Sequence, residues 1–495
     1  MPLPDTVRSL SKSRYLDGLK CEKLLWYQYN AKEEIPPVDA ATQAIFDQGH
    51  EVGALARSLF PGGIEIGGDY RDYEGALRKT AEAVKLRRPV FEGAFSHGGG
   101  FARADVLVPV GRSRWDLIEV KSSTEVKDVH VEDIALQKFV YAGAGLDIRR
   151  CELMYIDTSY VRRGDVDPLK LFARTDVTAD ADAILPEVAP RLARMMDVIG
   201  LRKFPPVPIG PQCHAPYGCP MVDICWDFLP ARNVLRIARI GAKGWELLGR
   251  GILEAANIPG DFRLSGLQKI QVDAARTGKP RVDRAAIREF LSELEYPLWF
   301  LDFETFGTAI PLFDESNPYE NIPFQFSLHV VRKEGAKPEH HGFLAEGKED
   351  PRPALVDSLT GLIGERGSVI AYHSSFEKSV IKKLSEHFPR FRKFRESLEA
   401  RMIDLEEPFR SLAWYHPDQE GSSSIKAVLP ALAGKSYEGL AIAEGGTASR
   451  EFLRVTYGEV PAAEREMTRR QLEEYCALDT SGMISVLDAL RSLVR

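Results

Sequence analysis

The sequence predicts an α/β protein that contains more than one domain. The chain has 495 residues, which exceeds the size at which a single hydrophobic core usually stops growing. Its composition, 44% hydrophobic and 28% charged, is typical of globular proteins and excludes the collagen-like, disordered and disulfide-framework classes. In both halves, short apolar runs of strand length alternate with patterns that repeat every three or four residues. We therefore expect sheets packed against helices.

Charge and hydropathy restrict the compartment and the partners. Lys and Arg number 65 and Asp and Glu number 72, so the net charge of -7 neither favours nor excludes a nucleic-acid partner. No apolar run approaches the roughly 20 residues of a membrane helix, and residues 1–16 lack the apolar centre of a signal peptide. We expect a cytoplasmic protein with no membrane partner, and the sequence indicates no particular protein partner.

Residues 1–230 are predicted to form an N-terminal α/β domain. Its first hundred residues are mostly helical, because the stretch DAATQAIFDQGHEVGALARSLF places apolar residues three and four apart before Pro61. Two strands follow, FARADVLVPV and WDLIEVKSS, separated by a hairpin turn at Gly111. A helix over about residues 131–142 and the strand CELMYIDTS continue the α/β pattern.

Two further segments complete the predicted organisation. Residues 231–295 are predicted to be a helical connector, since glycines interrupt short helical patterns there. Residues 296–495 form a second α/β domain, in which the strands LWFLDFETF, FQFSLHVV and SVIAYHSS alternate with helices. A long helical pattern over about residues 462–494 ends the chain.

Asp105, Glu119 and Lys121 form the first candidate site. Glu119 and Lys121 lie two residues apart at the end of a strand, so their side chains share one face, and a hairpin can bring Asp105 beside them. Paired carboxylates suit a hard divalent cation such as Mg²⁺. A lysine beside that cation can orient or deprotonate the attacking water, or stabilise charge on phosphorus.

In its wider context this pattern resembles the PD-(D/E)xK nuclease superfamily, in particular its RecB-like branch, over about residues 10–230. The context is R-A-D, then I-E-V-K-S-S, a Q-x-x-x-Y pair on the next helix, and Q-G-H upstream. The resemblance implies a restriction-endonuclease-like fold in which the two carboxylates bind metal and the lysine is catalytic. It also implies that His50 is a further metal ligand and that Gln137 and Tyr141 lie near DNA.

Four cysteines bracket this domain: Cys21, Cys213, Cys219 and Cys225. Sparse cysteines in a reducing compartment indicate metal binding rather than disulfides, and four thiolates satisfy either zinc or an iron-sulfur cluster. The RecB-like resemblance, with one cysteine before the core and three after it, implies a structural [4Fe-4S] cluster. Zinc is the alternative, and His214 is the alternative ligand. Cys151 and Cys476 are predicted to be small buried apolar residues.

A second candidate site begins with Asp302 and Glu304, two residues apart at the end of an apolar strand and therefore on one face of it. Such a pair is typical of a two-metal phosphoryl-transfer site. Glu377 follows near the start of a predicted helix. Tyr475 precedes Asp479 by four residues, so the two share a helical face.

The ordered motifs D-x-E, F-E and Y-x-x-x-D resemble the Tyr-containing subgroup of the DEDD exonuclease family, over the whole predicted C-terminal domain. The resemblance implies a ribonuclease-H-like fold, four carboxylates that bind two Mg²⁺ or Mn²⁺ ions, and a water-positioning role for Tyr475. It also implies that Lys426 contacts phosphate. Asp404 is a candidate fifth carboxylate, although the matching aspartate of the family usually supports the fold. The chain departs from the family at Glu377, where Asp is usual, and at His373, where Asn is common.

Together the two halves resemble a bacterial fusion family known mainly as a domain of unknown function. They imply a metal-dependent nuclease that hydrolyses phosphodiester bonds of DNA, exonucleolytic on single-stranded or frayed ends, with two active sites. The alternatives are an exonuclease of RNA ends, a non-catalytic nucleic-acid-binding protein with degenerate nuclease folds, and a redox sensor that uses the cluster. The sequence has no G-x-x-x-x-G-K-[ST] loop, so neither site is expected to need ATP.

Overall fold

A computed structural model describes residues 9–69 and 71–495 as a mixed α/β chain, which confirms the predicted class. Residues 1–8, part of the segment without a signal-peptide pattern, and Tyr70 lie outside this description. The chain divides into two compact units. The first unit runs to Trp226 and includes Thr308–Tyr319; the second comprises Asp227–Gly307 and Glu320–Arg495. The segment predicted as a connector, residues 231–295, thus belongs to the second unit.

The described part of the first unit contains one seven-stranded mixed sheet. Its strands are β1 (Leu10–Ser11), β2 (Ile64–Glu65), β3 (Val90–His97), β4 (Gly100–Val110), β5 (Arg114–Val120), β6 (Asp147–Ile156) and β7 (Phe172–Asp176). They lie in the order β2-β3-β4-β5-β6-β7, and β1 pairs with the start of β4. The predicted hairpin is β4 and β5, which are antiparallel.

The helices of the first unit pack on both faces of this sheet. They are α1 (Lys12–Lys20), α2 (Glu22–Asn30), α3 (Ala40–Arg57), α4 (Tyr73–Lys85), α5 (Asp128–Gly143), α6 (Pro168–Leu171), α7 (Thr178–Gly200) and α8 (Val222–Trp226). On one face, Leu117 of β5 joins Leu136 and Val140 of α5 in the core. On the other, Ile118 joins Val52 of α3. Alternation along β5 therefore places Glu119 on the α5 side.

The second unit contains, within its described residues, a five-stranded sheet and a two-stranded one. The strands are β8 (Arg281–Val282), β9 (Leu298–Phe306), β10 (Ile322–Val331), β11 (Glu339–Leu344), β12 (Val369–Ala371), β13 (Met402–Asp404) and β14 (Trp414–Tyr415). The larger sheet has the order β11-β10-β9-β12-β13. β9 is antiparallel to β10 and parallel to β12. The three predicted strands correspond to β9, β10 and β12.

The helices of the second unit are α9 (Ala242–Gly249), α10 (Gly266–Thr277), α11 (Arg284–Ser292), α12 (Arg352–Leu362), α13 (Ser375–His387), α14 (Arg392–Ala400), α15 (Glu407–Arg410), α16 (Ile425–Ala433), α17 (Gly445–Tyr457) and α18 (Ala462–Val494). The predicted long C-terminal helix is α18. Among the described residues, no helix combines the length and the apolarity needed to cross a bilayer.

The central strand β9 packs one face against a hydrophobic core and carries two carboxylates on the other, beside Phe300 and Phe306. Trp299, Leu301 and Phe303 point into a hydrophobic core that also contains residues of α12 and α13. The alternate residues, among them Asp302 and Glu304, point to the opposite face. Helix α18 lies against β9 and β10, and the contact of Cys476 with Asp302 shows that α18 covers this opposite face.

Candidate functional site

Two strands and two helices bring the carboxylates of the second unit together. Asp302 pairs with Ser327 and Glu304 with Gln325 across β9 and β10. Glu377 lies in the first turn of α13, where the partial positive charge of a helix N-terminus favours an acidic residue. Asp479 is buried on α18 with 6% of its surface exposed. The charges of Asp479, Glu304 and Glu377 all act on Asp302, so the four carboxylates share one neighbourhood.

Burial raises the pKa of all four carboxyl groups. Burial, followed by the charges of its neighbours, raises the pKa of Asp302 well above its usual range. Burial likewise raises the pKa of Glu304 and that of Glu377 to about 8. The pKa of Asp479 rises only to about 6, because hydrogen bonds and Lys426 oppose the effect of burial. Shifts of this kind are typical of functional sites.

Tyrosine side chains and a lysine border Asp479. Tyr475, four residues earlier on α18, is buried and lies close enough to Asp479 to lower the pKa of that carboxyl group. The hydroxyl of Tyr437 donates to Asp479 Oδ1. The ammonium group of Lys426, on the exposed side of α16, lies 5.7 Å from the ring centre of Tyr437 and 5.6 Å from that of Tyr475. Tyr437 was not found from the sequence, because no motif spacing connects it with Asp479.

Cys476 also belongs to this neighbourhood. It was predicted to be a small buried apolar residue, and it is buried, yet its thiol donates a hydrogen bond to Asp302 Oδ2 at 3.7 Å. Three potential ligand atoms, one each from Asp302, Glu304 and Cys476, lie within 4.8 Å of one another. Among the residues described, no other group of three meets this criterion. The sequence signal that could have identified Cys476 as a site residue is its position directly after Tyr475 in the Y-x-x-x-D motif.

Asp404 lies close enough to Glu377 for its charge to raise the pKa of that carboxyl group, and His373 lies beside Asp404. Asp404 accepts hydrogen bonds from the backbone N–H groups of His373 and Glu406 at 3.0 Å each, and from Arg410 at 3.2 Å. It therefore fixes the turn before α13. The exposed imidazole of His373 pairs with Glu406 at 2.7 Å.

In the first unit, Glu119 lies between two lysines. The ammonium groups of Lys12 and Lys121 lie 2.6 Å and 2.7 Å from Glu119 Oε1. Lys121 also contacts Asp133 at 2.7 Å. Asp105 accepts a hydrogen bond from the backbone of Val120 at 2.7 Å, which places it beside Glu119. Lys12 and Asp133 were missed because neither belongs to the D, E-x-K pattern.

Charges in this group are nearly balanced. Burial favours the neutral form of Glu119, but Lys12 and Lys121 outweigh burial and lower its pKa below its usual range. Asp105 has no such direct ion pair among the residues described, and burial together with Glu119 raises its pKa to about 7. Burial opposes the charge of Lys121 as well, yet the nearby carboxylates raise its pKa. Lys121 is therefore an ammonium ion in this arrangement.

Three further residues were predicted for this site. Gln137 and Tyr141 are buried next to Glu119, whereas His50 is exposed. Gln137 is fully buried and donates to Glu119 at 2.7 Å and to Asp133 at 3.0 Å. Tyr141, also fully buried, donates to Gln137 at 3.1 Å. Gln137, which Tyr141 supports, thus holds the side chain of Glu119 in place. His50 lies on an exposed position of α3, outside this hydrogen-bonded network as it is described.

The four cysteines predicted to bind a cluster meet in the first unit. Cys21, at the junction of α1 and α2, lines one pocket with Cys213, Cys219 and Cys225. All four are free thiols, and burial raises the pKa of Cys21 and of Cys219. The pocket is otherwise lined mainly by apolar side chains such as Leu24 and Met221. His214 is exposed, and its ring packs against Trp226 instead.

Parts of the chain are similar to a family model, a curated protein and a solved structure. Residues 299–424 match the model of a family described as a domain of unknown function, DUF2779. An uncharacterized protein of Mycoplasma pneumoniae, the MG366 homolog, is 26% identical over 209 residues, which are 38% of this chain and 31% of the relative. The match thus spans about a third of that relative's length. The crystal structure of SSO0001 aligns over 46% of this chain and 90% of its own, with 15% identity and a TM-score of 0.22, too low to support an argument.

Proposed function

We propose that the second unit is a metal-dependent phosphodiesterase that acts on nucleic-acid ends. The observation that carries this proposal is the grouping of four carboxylates: Glu304, Glu377 and Asp479 are buried, and their charges all act on the half-buried Asp302. Buried carboxylates repel one another strongly unless protons or cations compensate their charge. Burial raises the pKa of all four, and neighbouring carboxylates add to this rise at Asp302, Glu304 and Glu377, so a bound cation would stabilise the group.

The donor set suits a divalent cation. Carboxylate oxygens are the ligands that Mg²⁺ and Mn²⁺ prefer. Glu377 Oε2 is buried and has no hydrogen-bond partner within the described part of the chain, as expected of a ligand atom awaiting an ion. When bound, two such cations stabilise the attacking and leaving oxygens of an in-line displacement at phosphorus.

Residues of this chain can position both a metal ligand, Asp479, and the substrate strand. The hydroxyl group of Tyr437 holds Asp479 in one orientation, and Tyr475 lies beside the same carboxylate. Lys426, exposed beside them, offers a cation for a phosphate of the substrate strand. The ordered D-x-E, F-E and Y-x-x-x-D resemblance supports a ribonuclease-H-like exonuclease. The family match includes Asp302, Glu304 and Glu377 but ends before Tyr475.

We propose DNA ends as the substrate and the Asp105, Glu119 and Lys121 group as a second nuclease site of the RecB-like kind. DNA is preferred over RNA because of the RecB-like motifs of the first unit. The ammonium nitrogen of Lys12 lies 2.6 Å from Glu119 Oε1, where a metal ion would bind. Metal binding at this site therefore requires Lys12 to move away. The carboxylates of the second unit need no such displacement, and we assign the principal activity to them.

The thiol pocket supports a [4Fe-4S] cluster rather than zinc. Zinc bonds four sulfurs at about 2.3 Å, which brings the sulfurs to roughly 4 Å from one another. Within the described residues, no three of these four sulfurs all lie within 4.8 Å of one another, which is wider than the spacing around one zinc ion. Iron and acid-labile sulfide assays of anaerobically purified protein test this, with Cys219→Ser expected to lose both and Cys151→Ser to retain them.

Cleavage of end-labelled single-stranded DNA and RNA with Mn²⁺ or Mg²⁺ tests the activity. Asp302→Asn is expected to lower the DNA rate by at least about 100-fold, since it removes a ligand of the cations that stabilise the transition state. Lys121→Ala is expected to have a smaller effect. Surface variants Asp357→Asn and Lys85→Ala are the matched controls. Wild-type protein that is folded and metal-loaded but cleaves neither substrate would refute the proposal in favour of a binding role.

A further inference from the structure

Cys476 presents a sulfur atom to the same space as the carboxylates of β9. It lies three residues before Asp479 on α18, so the two side chains share a helical face. Its side chain is fully buried, and its sulfur lies 3.7 Å from Asp302 Oδ2. Together with Glu304, these residues can each place one ligand atom within 4.8 Å of the others. This spacing is compatible with one shared ion.

A second observation points to a ligand at this position. Glu377 is 2% exposed, its charge acts on Asp302, and its Oε2 atom has no hydrogen-bond partner among the residues described. A buried polar atom without a partner costs stability unless something else satisfies it. Glu377 belongs to α13 and Cys476 to α18, so polar side chains from two separate helices lie near Asp302.

We propose that Cys476 is a ligand of the cation bound by Asp302 and Glu304, and that its sulfur shifts the preference of this site from Mg²⁺ toward Zn²⁺ and Co²⁺. The inference rests on the metal site of the proposed function. The thiol loses its proton to solvent as the ion binds, because the thiolate is the ligand form. Thiolate strengthens binding of borderline and soft cations, whereas Mg²⁺ favours oxygen.

Cobalt(II) titration of the full-length protein under anaerobic conditions tests this inference. A cobalt–thiolate bond produces a near-ultraviolet charge-transfer band. Because the four cysteines of the first unit are present in every variant, difference spectra against wild type isolate the contribution of Cys476. Cys151→Ser, which changes an equally buried thiol of β6, is the matched control. Circular dichroism verifies folding, and Cys476→Ala replaces Cys476→Ser if the serine variant is unfolded.

Cys476→Ser is expected to remove part of the charge-transfer band and to weaken Co²⁺ and Zn²⁺ binding at least about tenfold, with Mg²⁺ affinity changed by less than about twofold. Asp302→Asn should remove the same part of the band. A band that Cys476→Ser leaves unchanged, while Asp302→Asn still weakens cobalt uptake, overturns the sulfur ligand and leaves the proposed metal site intact. Cobalt uptake that neither variant weakens overturns both.

Discussion

The hydroxyl group of Tyr437 makes a buried hydrogen bond to an acidic acceptor, Asp479. Hydrogen bonds to charged groups contribute more to stability than neutral ones. We expect Tyr437→Phe to lower the free energy of unfolding of the second unit by about 2 kcal/mol. In the control Tyr372→Phe, which removes a bond to the neutral carbonyl of Ser423, the loss should be about 1 kcal/mol. Equal losses in urea unfolding would contradict the assignment of a charged acceptor.

The raised pKa values in the second unit predict that metal-free protein loses stability as the pH rises. Glu304 and Glu377 have a pKa of about 8 in the folded state, against 4.5 for the ordinary group. Between these values the folded state binds more protons than the unfolded state, so the free energy of unfolding falls as the pH rises. Full release of one proton corresponds to about 1.4 kcal/mol per pH unit.

Urea unfolding in the presence of a chelator, from about pH 5 to about pH 9, measures this slope. Glu377→Gln should flatten it, because an amide has no proton to lose, whereas the exposed Asp357→Asn should leave it unchanged. Added Mn²⁺ should offset the loss at the higher pH, since a cation compensates the same charge. A slope of opposite sign would contradict the raised pKa values.

At the scale of elements, the chain before β12 approaches the chain before β9 very closely at Gly367. Gly367 has φ of +86°, and a Cβ atom there would lie 2.0 Å from the carbonyl oxygen of Pro297. Next to it, Ser368 accepts a backbone hydrogen bond from Trp299 at 2.9 Å. This close approach sets the pairing of β12 with β9, the strand that carries Asp302.

Gly367→Ala is therefore expected to destabilise the second unit strongly. Gly335→Ala provides a control, because Gly335 has φ of +76° but open space around its Cβ position. The control should cost about 1–2 kcal/mol from backbone strain alone. Gly367→Ala should exceed it by at least about 2 kcal/mol, since backbone atoms must shift. Equal thermal shifts for the two variants would show that the approach of Gly367 to Pro297 is unimportant.

At the scale of the whole molecule, the first unit is discontinuous in sequence. Thr308–Tyr319 belongs to it, although these residues lie between β9 and β10 in the chain. Ala309 is fully buried in the core that contains Val52. Arg162 donates to the carbonyl oxygens of Pro311 and Leu312 at 2.8 Å each. The segment thus completes both the core and the hydrogen bonding of the first unit.

A fragment that ends at Trp226 should therefore be less stable without this segment. Adding a synthetic peptide of residues 308–319 is expected to raise its melting temperature by at least about 2 °C, roughly the shift that 1 kcal/mol produces in a unit of this size. A peptide of the same composition in scrambled order is the control. Equal melting curves with both peptides would indicate that the segment contributes nothing to the fold.

The sequence by itself determined the elements and the motif residues. Periodicity predicted the β4–β5 hairpin, β9 and α18, because alternation and helical spacing are local properties of the chain. Motif spacing likewise selected Asp302, Glu304 and Asp479, since residues two or four apart on regular elements share a face.

Only the tertiary structure decided which residues join these motifs. Tyr437 and Cys476 meet Asp479 and Asp302, and Lys12 meets Glu119, across long separations in sequence. The membership of Thr308–Tyr319 in the first unit is of the same kind. Such contacts depend on how whole elements pack, and packing is set by the summed burial of many side chains. The spacing of a few residues along the chain therefore cannot predict these long-range contacts.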